Sequence, residues 1–149
     1  MSLSLLSDQP IGIYAAGILS ASNFLLGLNV SRLRMSTNKS IGVDDQDLNS
    51  PLTKAVRAHG NHAEYTPTAI SLMLFMEAKQ LIKSPGGHTG TRAMVVMRAC
   101  MIAYVLARLS ITCGLLSPNS LAKVSPFRRL GAVLNYVLGI ALSVGLVTV

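Results

Sequence analysis

Arg57, Asn61 and Glu64 stand at i, i+4 and i+7 in the run Arg57-Ala-His59-Gly-Asn61-His-Ala-Glu64-Tyr65-Thr-Pro67. On a helix that spacing stacks a cation, an amide and a carboxylate on one face. Such a stripe can hold a zwitterionic ligand. It can equally close on itself as a polar clamp between helices. Two more places carry charge inside apolar sequence. Arg108 lies about two turns from the end of an apolar run, a strained distance for its head to reach water. It either pairs with Glu64 or meets a ligand. The pair Arg128-Arg129 opens the last apolar run and reads as membrane anchoring or as an anion site. Arg98 lies near the opposite end of the Arg108 run, and its expected role is a headgroup contact.

The surrounding chain explains why these groups stand out. It has 149 residues, of which 50% are apolar and only 13% charged, against about 25% charged in an ordinary soluble domain. Its mean hydropathy is +0.49. So few charges cannot cover a water-facing surface, and the composition points to a single-domain integral membrane protein. The net charge of +7 comes without aromatic interleaving or a recognition motif, so nucleic acid is not an expected partner. Cys100 and Cys113 both fall in an apolar run and make neither a disulfide framework nor a metal motif. Packing is the expected role of Cys113. Inside a membrane each ionisable group costs about 2.5–3.5 kcal/mol at the centre of a span, so those that are kept need a partner or a ligand.

Four apolar stretches approach the ~20 residues that cross a bilayer. They run from about Ile11 to Val30, Tyr65 to Ile82, Ala93 to Leu116 and Leu130 to Val149, the second preceded by helix-compatible turns from Leu52. None alternates with period two, and lipid does not tolerate open backbone, so the expected fold class is all-α. The tail Met1–Gln9 has no Lys or Arg, so the first stretch reads as a retained span and not as a cleaved signal. A long connection from Ser31 to Pro51, a turn at Ser84-Pro85-Gly86-Gly87 and a loop from Ser117 to Pro126 predict an up-down-up-down four-helix bundle. Lys and Arg are concentrated around the first and third connections, which places these in the cytoplasm. In that topology Arg32, Arg34, Arg57, Asn61, Glu64, Arg108 and Arg128 all lie toward one leaflet. An anionic, partly zwitterionic ligand at that depth would account for them.

The helix-two run resembles the signature of the MAPEG family, membrane-associated proteins in eicosanoid and glutathione metabolism, whose pattern is roughly R-A-x-x-N-x-x-E-x-x-P. Val30 with Arg34, Ala107-Arg108-Leu109 with Gly114, and Arg128 with Gly131 resemble further parts of the family's pattern. The likeness covers nearly the whole chain and is nearest to the small bacterial-type branch. It implies a homotrimer of four-helix subunits in a bacterial plasma membrane or the endoplasmic reticulum. It also implies glutathione bound between subunits near the cytoplasmic side. The implied activity is glutathione transfer to, or peroxide reduction of, a lipophilic substrate from the bilayer, a role in detoxification or lipid metabolism. On the same resemblance Arg34, Arg57, His59, Asn61, Glu64, Tyr65 and Arg108 would bind glutathione, and Arg128 would stabilise the thiolate. Family enzymes usually carry His or Tyr three residues after the helix-three Arg and Tyr four residues further on. Here Ile111 and Leu115 occupy those positions, which keeps open a non-catalytic scaffold or lipid-binding relative. A transporter would need a broken helix or an inverted repeat, and the sequence has neither.

Overall fold

The computed structural model describes residues 9–44, 46–83 and 92–148. The turn expected at Ser84-Pro85-Gly86-Gly87, most of the N-terminal tail, and Val149 lie outside the described residues. Four helices follow in order: α1 (Ile11–Thr37), α2 (Pro51–Lys83), α3 (Arg92–Leu116) and α4 (Pro126–Thr148). Among the described residues there is no strand. By length and composition α1, α3 and α4 can each cross a membrane. The 33 residues of α2 are long enough, but Glu77, Lys79 and the polar first half dilute its apolar content. Of the four apolar stretches expected as spans, three therefore stand out as membrane-crossing helices.

Three helices begin or end beyond the apolar runs, each for a local reason. α1 continues past Val30 to Thr37 and stops at Asn38, which takes a left-handed conformation (φ 53°) and donates its N–H to the carbonyls of Arg34 and Met35. That is the usual way a helix closes its free carbonyls. α4 starts at Pro126, four residues before the apolar run. Ser125 caps it through its hydroxyl, which accepts the Arg128 N–H at 3.2 Å. α2 starts in the same manner, with Ser50 accepting the Thr53 N–H at 3.2 Å and Pro51 in the first turn. Proline suits that position because its missing N–H would have had no helical partner.

The contacts run in reverse order along paired helices. Gly12 at the start of α1 meets Glu77 near the end of α2, while Gly27 further along meets His59 near its start. Arg108 of α3 meets Asn135 of α4, and Gly114 meets Arg128. A main core of Leu19, Ala69, Met73, Met76, Met94, Met101, Tyr104 and Leu142 fills the middle. A second cluster, Leu26, Ala58, Ile111 and Leu115, sits toward the end that carries the arginines. Ile111 and Leu115 are thus packing residues, buried to 4% and 3% exposure. Gly131 lets α3 and α4 approach closely. A Cβ there would lie 2.9 Å from the Ala107 carbonyl oxygen and 2.8 Å from Ile111 Cγ1. Backbone cannot yield as a side chain can, so Gly131→Ala is expected to destabilise the fold by about 1–3 kcal/mol. A thermal midpoint in detergent equal to that of wild type would contradict this.

Candidate functional site

The helix-two stripe does face one space. Arg57, Gly60, Asn61 and Glu64 line a cavity of about 730 Å³, together with Leu115 of α3, Arg128 of α4 and residues of the two loops at this end. That volume lies in the range of about 300–1,000 Å³ common for small-molecule sites. Its rim is held by loop-to-loop bonding, since Asn49 Oδ1 accepts the Leu121 N–H at 3.2 Å. Near the rim, the Asp44 carboxyl is held below the usual carboxylate range, chiefly by the Gln46 N–H it accepts and further by the Lys39 ammonium.

The charges in the cavity are not spent on one another. Among the described residues the ion pairs are Lys39–Asp44 and Arg98–Glu77, and Arg57, Glu64 and Arg128 take part in neither. The Arg128 guanidinium is steadied by one bond, Nη1 donating to the Ser120 carbonyl at 3.0 Å. The Ser120 hydroxyl in turn donates to the Leu115 carbonyl. Two arginines and a carboxylate therefore border the same volume with hydrogen-bonding capacity left over, since each guanidinium carries five donors.

Arg108 has a different place. It is fully buried and lies behind the cavity wall. Its Nη2 donates to the Asn61 carbonyl at 2.8 Å and to Asn61 Oδ1 at 3.1 Å, and its Nη1 donates to Asn135 Oδ1 at 3.2 Å. It thus pairs with two amides, not with Glu64. The contact turns the Asn61 side-chain oxygen toward Arg108 and leaves its NH₂ donors unused, and Asn61 also lines the cavity.

Tyr65 also turns away from the large cavity. It lines a separate, largely apolar groove of about 240 Å³ between α2 and α4, with Tyr104, Tyr136 and Ile140; Glu64 borders both spaces. Arg34 and His59 line a third space of about 520 Å³ against α1, with Asn23, Gly27 and Ser31. The reason is geometric. His59 follows Arg57 by two residues, about 200° around the helix, so the two cannot face one ligand from the same chain. Arg34 is partly occupied, donating from Nη1 to the Ser40 carbonyl at 2.9 Å.

Three polar residues take places not anticipated from sequence. Arg98 does not reach a headgroup. It is buried at 5% exposure in an ion pair with Glu77, Nη2 to Oε2 at 2.7 Å and Nε to Oε1 at 3.1 Å. Its head points across the bundle because a carboxylate on α2 lies nearer than water. Asn135 and Tyr136 are the second and third. They are neighbours in an apolar run, and that position was their only signal. Cys113, expected to pack in the interior, is exposed on the surface of the single chain.

Among the described residues no group of acidic, histidine and cysteine side chains could hold a metal. No curated protein and no solved structure matches the chain. The model of the MAPEG family matches residues 12–148, a span that takes in all three spaces and nearly all of the four helices. The chain belongs to the MAPEG family, membrane-associated proteins of eicosanoid and glutathione metabolism.

Proposed function

We propose that the protein is a membrane-bound glutathione transferase or peroxidase acting on hydrophobic electrophiles or lipid hydroperoxides. The observation that carries this reading is one cavity bordered by Arg57, Asn61, Glu64 and Arg128, without ion pairs among them. Glutathione offers two carboxylates, one ammonium, two peptide groups and a thiol. Arginine takes a carboxylate through two parallel hydrogen bonds, and Arg57 has that role. Glu64 pairs with the ammonium. The free NH₂ of Asn61 donates to a peptide carbonyl. Arg128 stands beside the sulfur and favours the thiolate, which is the nucleophile.

Arg34 and His59 fit the same ligand only from a neighbouring copy. Their groove opens on another face of α2, with Val56 bordering both spaces. An up-down bundle assembled as a homotrimer would set the groove of one subunit against the cavity of the next. The reverse contact order of the paired helices and the exposed apolar faces of α1 and α4 support this arrangement. Arg108 is then a positioning residue that holds Asn61.

The test is calorimetry with the purified protein in detergent. Wild type is expected to bind glutathione. Arg57→Ala is expected to weaken binding at least about tenfold, since a charge-assisted hydrogen bond contributes about 1.5–3 kcal/mol. Equal affinity in the variant would remove Arg57 from the site.

A second reading is a non-catalytic scaffold or lipid-binding relative. Ile111 and Leu115 favour it, because they present apolar side chains where polar ligand contacts are usual in the family. No glutathione binding at millimolar concentration would select it.

A further inference from the structure

The groove between α2 and α4 holds a feature that glutathione binding does not use. The Tyr65 and Tyr136 hydroxyls lie 3.0 Å apart, and their rings meet edge to face with centroids 5.7 Å apart. Two hydroxyls bring two protons, and only one can bridge the pair. Among the described residues neither hydroxyl has another hydrogen-bond partner, so one O–H remains for an occupant of the groove. It is also the stronger donor, because a hydroxyl that accepts a hydrogen bond is polarised by it. Ala69, Leu72, Gly139 and Ile140 make much of the remaining wall apolar, with Thr68, Asn135 and Ser143 beside them, and Glu64 borders both this groove and the polar cavity. A lipophilic molecule in the groove would therefore have its polar end at the tyrosines, next to the cavity assigned to glutathione.

We propose that the Tyr65–Tyr136 hydroxyl pair donates the proton to an electrophile whose bond breaks at oxygen, such as a hydrophobic epoxide. The step balances without a further reactant. The thiolate sulfur bonds to an epoxide carbon and the carbon–oxygen bond opens. The oxygen takes the tyrosine proton. The tyrosinate then recovers the proton that the thiol gave up. The Arg108 guanidinium carbon lies 5.5 Å from the Tyr65 ring centre, where a cation stabilises the negative charge left on the pair. The proposal rests on the glutathione reading.

The experiment compares wild type with the double variant Tyr65→Phe/Tyr136→Phe, which removes both hydroxyls, on two electrophiles, styrene oxide and chlorodinitrobenzene. Chloride leaves the aryl ring without a proton, so only the epoxide needs the donor. General acid catalysis contributes about 10²–10⁴-fold, and the ratio of epoxide to aryl-chloride turnover is expected to fall about a hundredfold in the variant. Tyr136 is half exposed and phenylalanine keeps both rings, and an unchanged thermal midpoint would confirm that the fold is intact. An unchanged ratio, with either both rates kept or both lost together, overturns the proposal and leaves glutathione transfer standing. Wild type that binds no glutathione and turns over neither electrophile overturns the functional reading, and the proposal with it.

Discussion

Glu77→Ala is expected to lower the stability of the folded chain by about 3–5 kcal/mol, the cost of removing one charge of a buried ion pair. Glu77 is 2% exposed and Arg98 5%, so neither has water to fall back on. The carboxylate has a second task. Its Oε1 also accepts the Gly12 N–H at 2.9 Å. That amide belongs to the first turn of α1, whose N–H groups have no helical partner and carry the positive end of the helix dipole. One carboxylate therefore joins α1, α2 and α3 at the end of the bundle away from the cavity. Glycine at position 12 makes room for it, since a Cβ there would lie 2.6 Å from Glu77 Cγ. The measurement is thermal unfolding in detergent for three variants. Glu77→Ala should unfold at a much lower temperature. Glu77→Gln, which keeps an acceptor for Gly12 but removes the negative charge opposite Arg98, should fall between it and wild type. The double change Glu77→Leu with Arg98→Met should recover most of the loss, because replacing a buried pair by apolar residues is often neutral. A double variant no more stable than Glu77→Ala would mean that the Gly12 contact, not the ion pair, carries the effect.

The same pair shows where the sequence ceases to be readable. The depth of Arg98 in its helix is set by local spacing, and that was legible. Whether its head turns to water or across the bundle depends on what the neighbouring helix presents, and Glu77 lies 21 residues away. The helix-two stripe behaved in the opposite way. Arg57, Asn61 and Glu64 share a face because helical geometry alone puts them there, and they line one cavity. His59, two positions from Arg57, shows the same rule from the other side, because the period that unites the stripe sends it to a different groove. Arg108 was legible as a buried cation in need of a partner. Its partners were not, since Asn135 lies on the following helix, and an amide within an apolar run does not say which helix it meets. Helix ends followed capping chemistry more than hydropathy. Asn38 and the two Ser-Pro pairs at Ser50-Pro51 and Ser125-Pro126 moved three boundaries past the apolar runs.

Arg128→Ala is expected to lower glutathione-dependent turnover by about 25-fold at pH 7, and the deficit is expected to vanish at high pH. The magnitude follows from the thiol. At an ordinary pKa of about 8.5 only about 3% is thiolate at pH 7. A cation beside a titrating group that becomes negative lowers its pKa by about 1–3. With the thiol at about 6.5, about three quarters is thiolate at pH 7, hence about a 25-fold advantage. At pH 9.5 both thiols are at least about nine-tenths ionised and the advantage disappears. The sign is fixed by the charge: the cation stabilises the ionised form, so its loss hurts most where the free thiol is protonated. Arg128 is suited to this because its guanidinium is tied at one nitrogen to the Ser120 carbonyl and borders the cavity with the rest of its donors. The measurement is the pH profile of turnover on chlorodinitrobenzene for wild type, Arg128→Ala and Arg128→Lys. Lysine keeps the charge and loses the fork, so its profile should stay nearer to that of wild type. A deficit in Arg128→Ala that is the same at pH 7 and pH 9.5 would show that Arg128 binds or positions the ligand without acting on its sulfur.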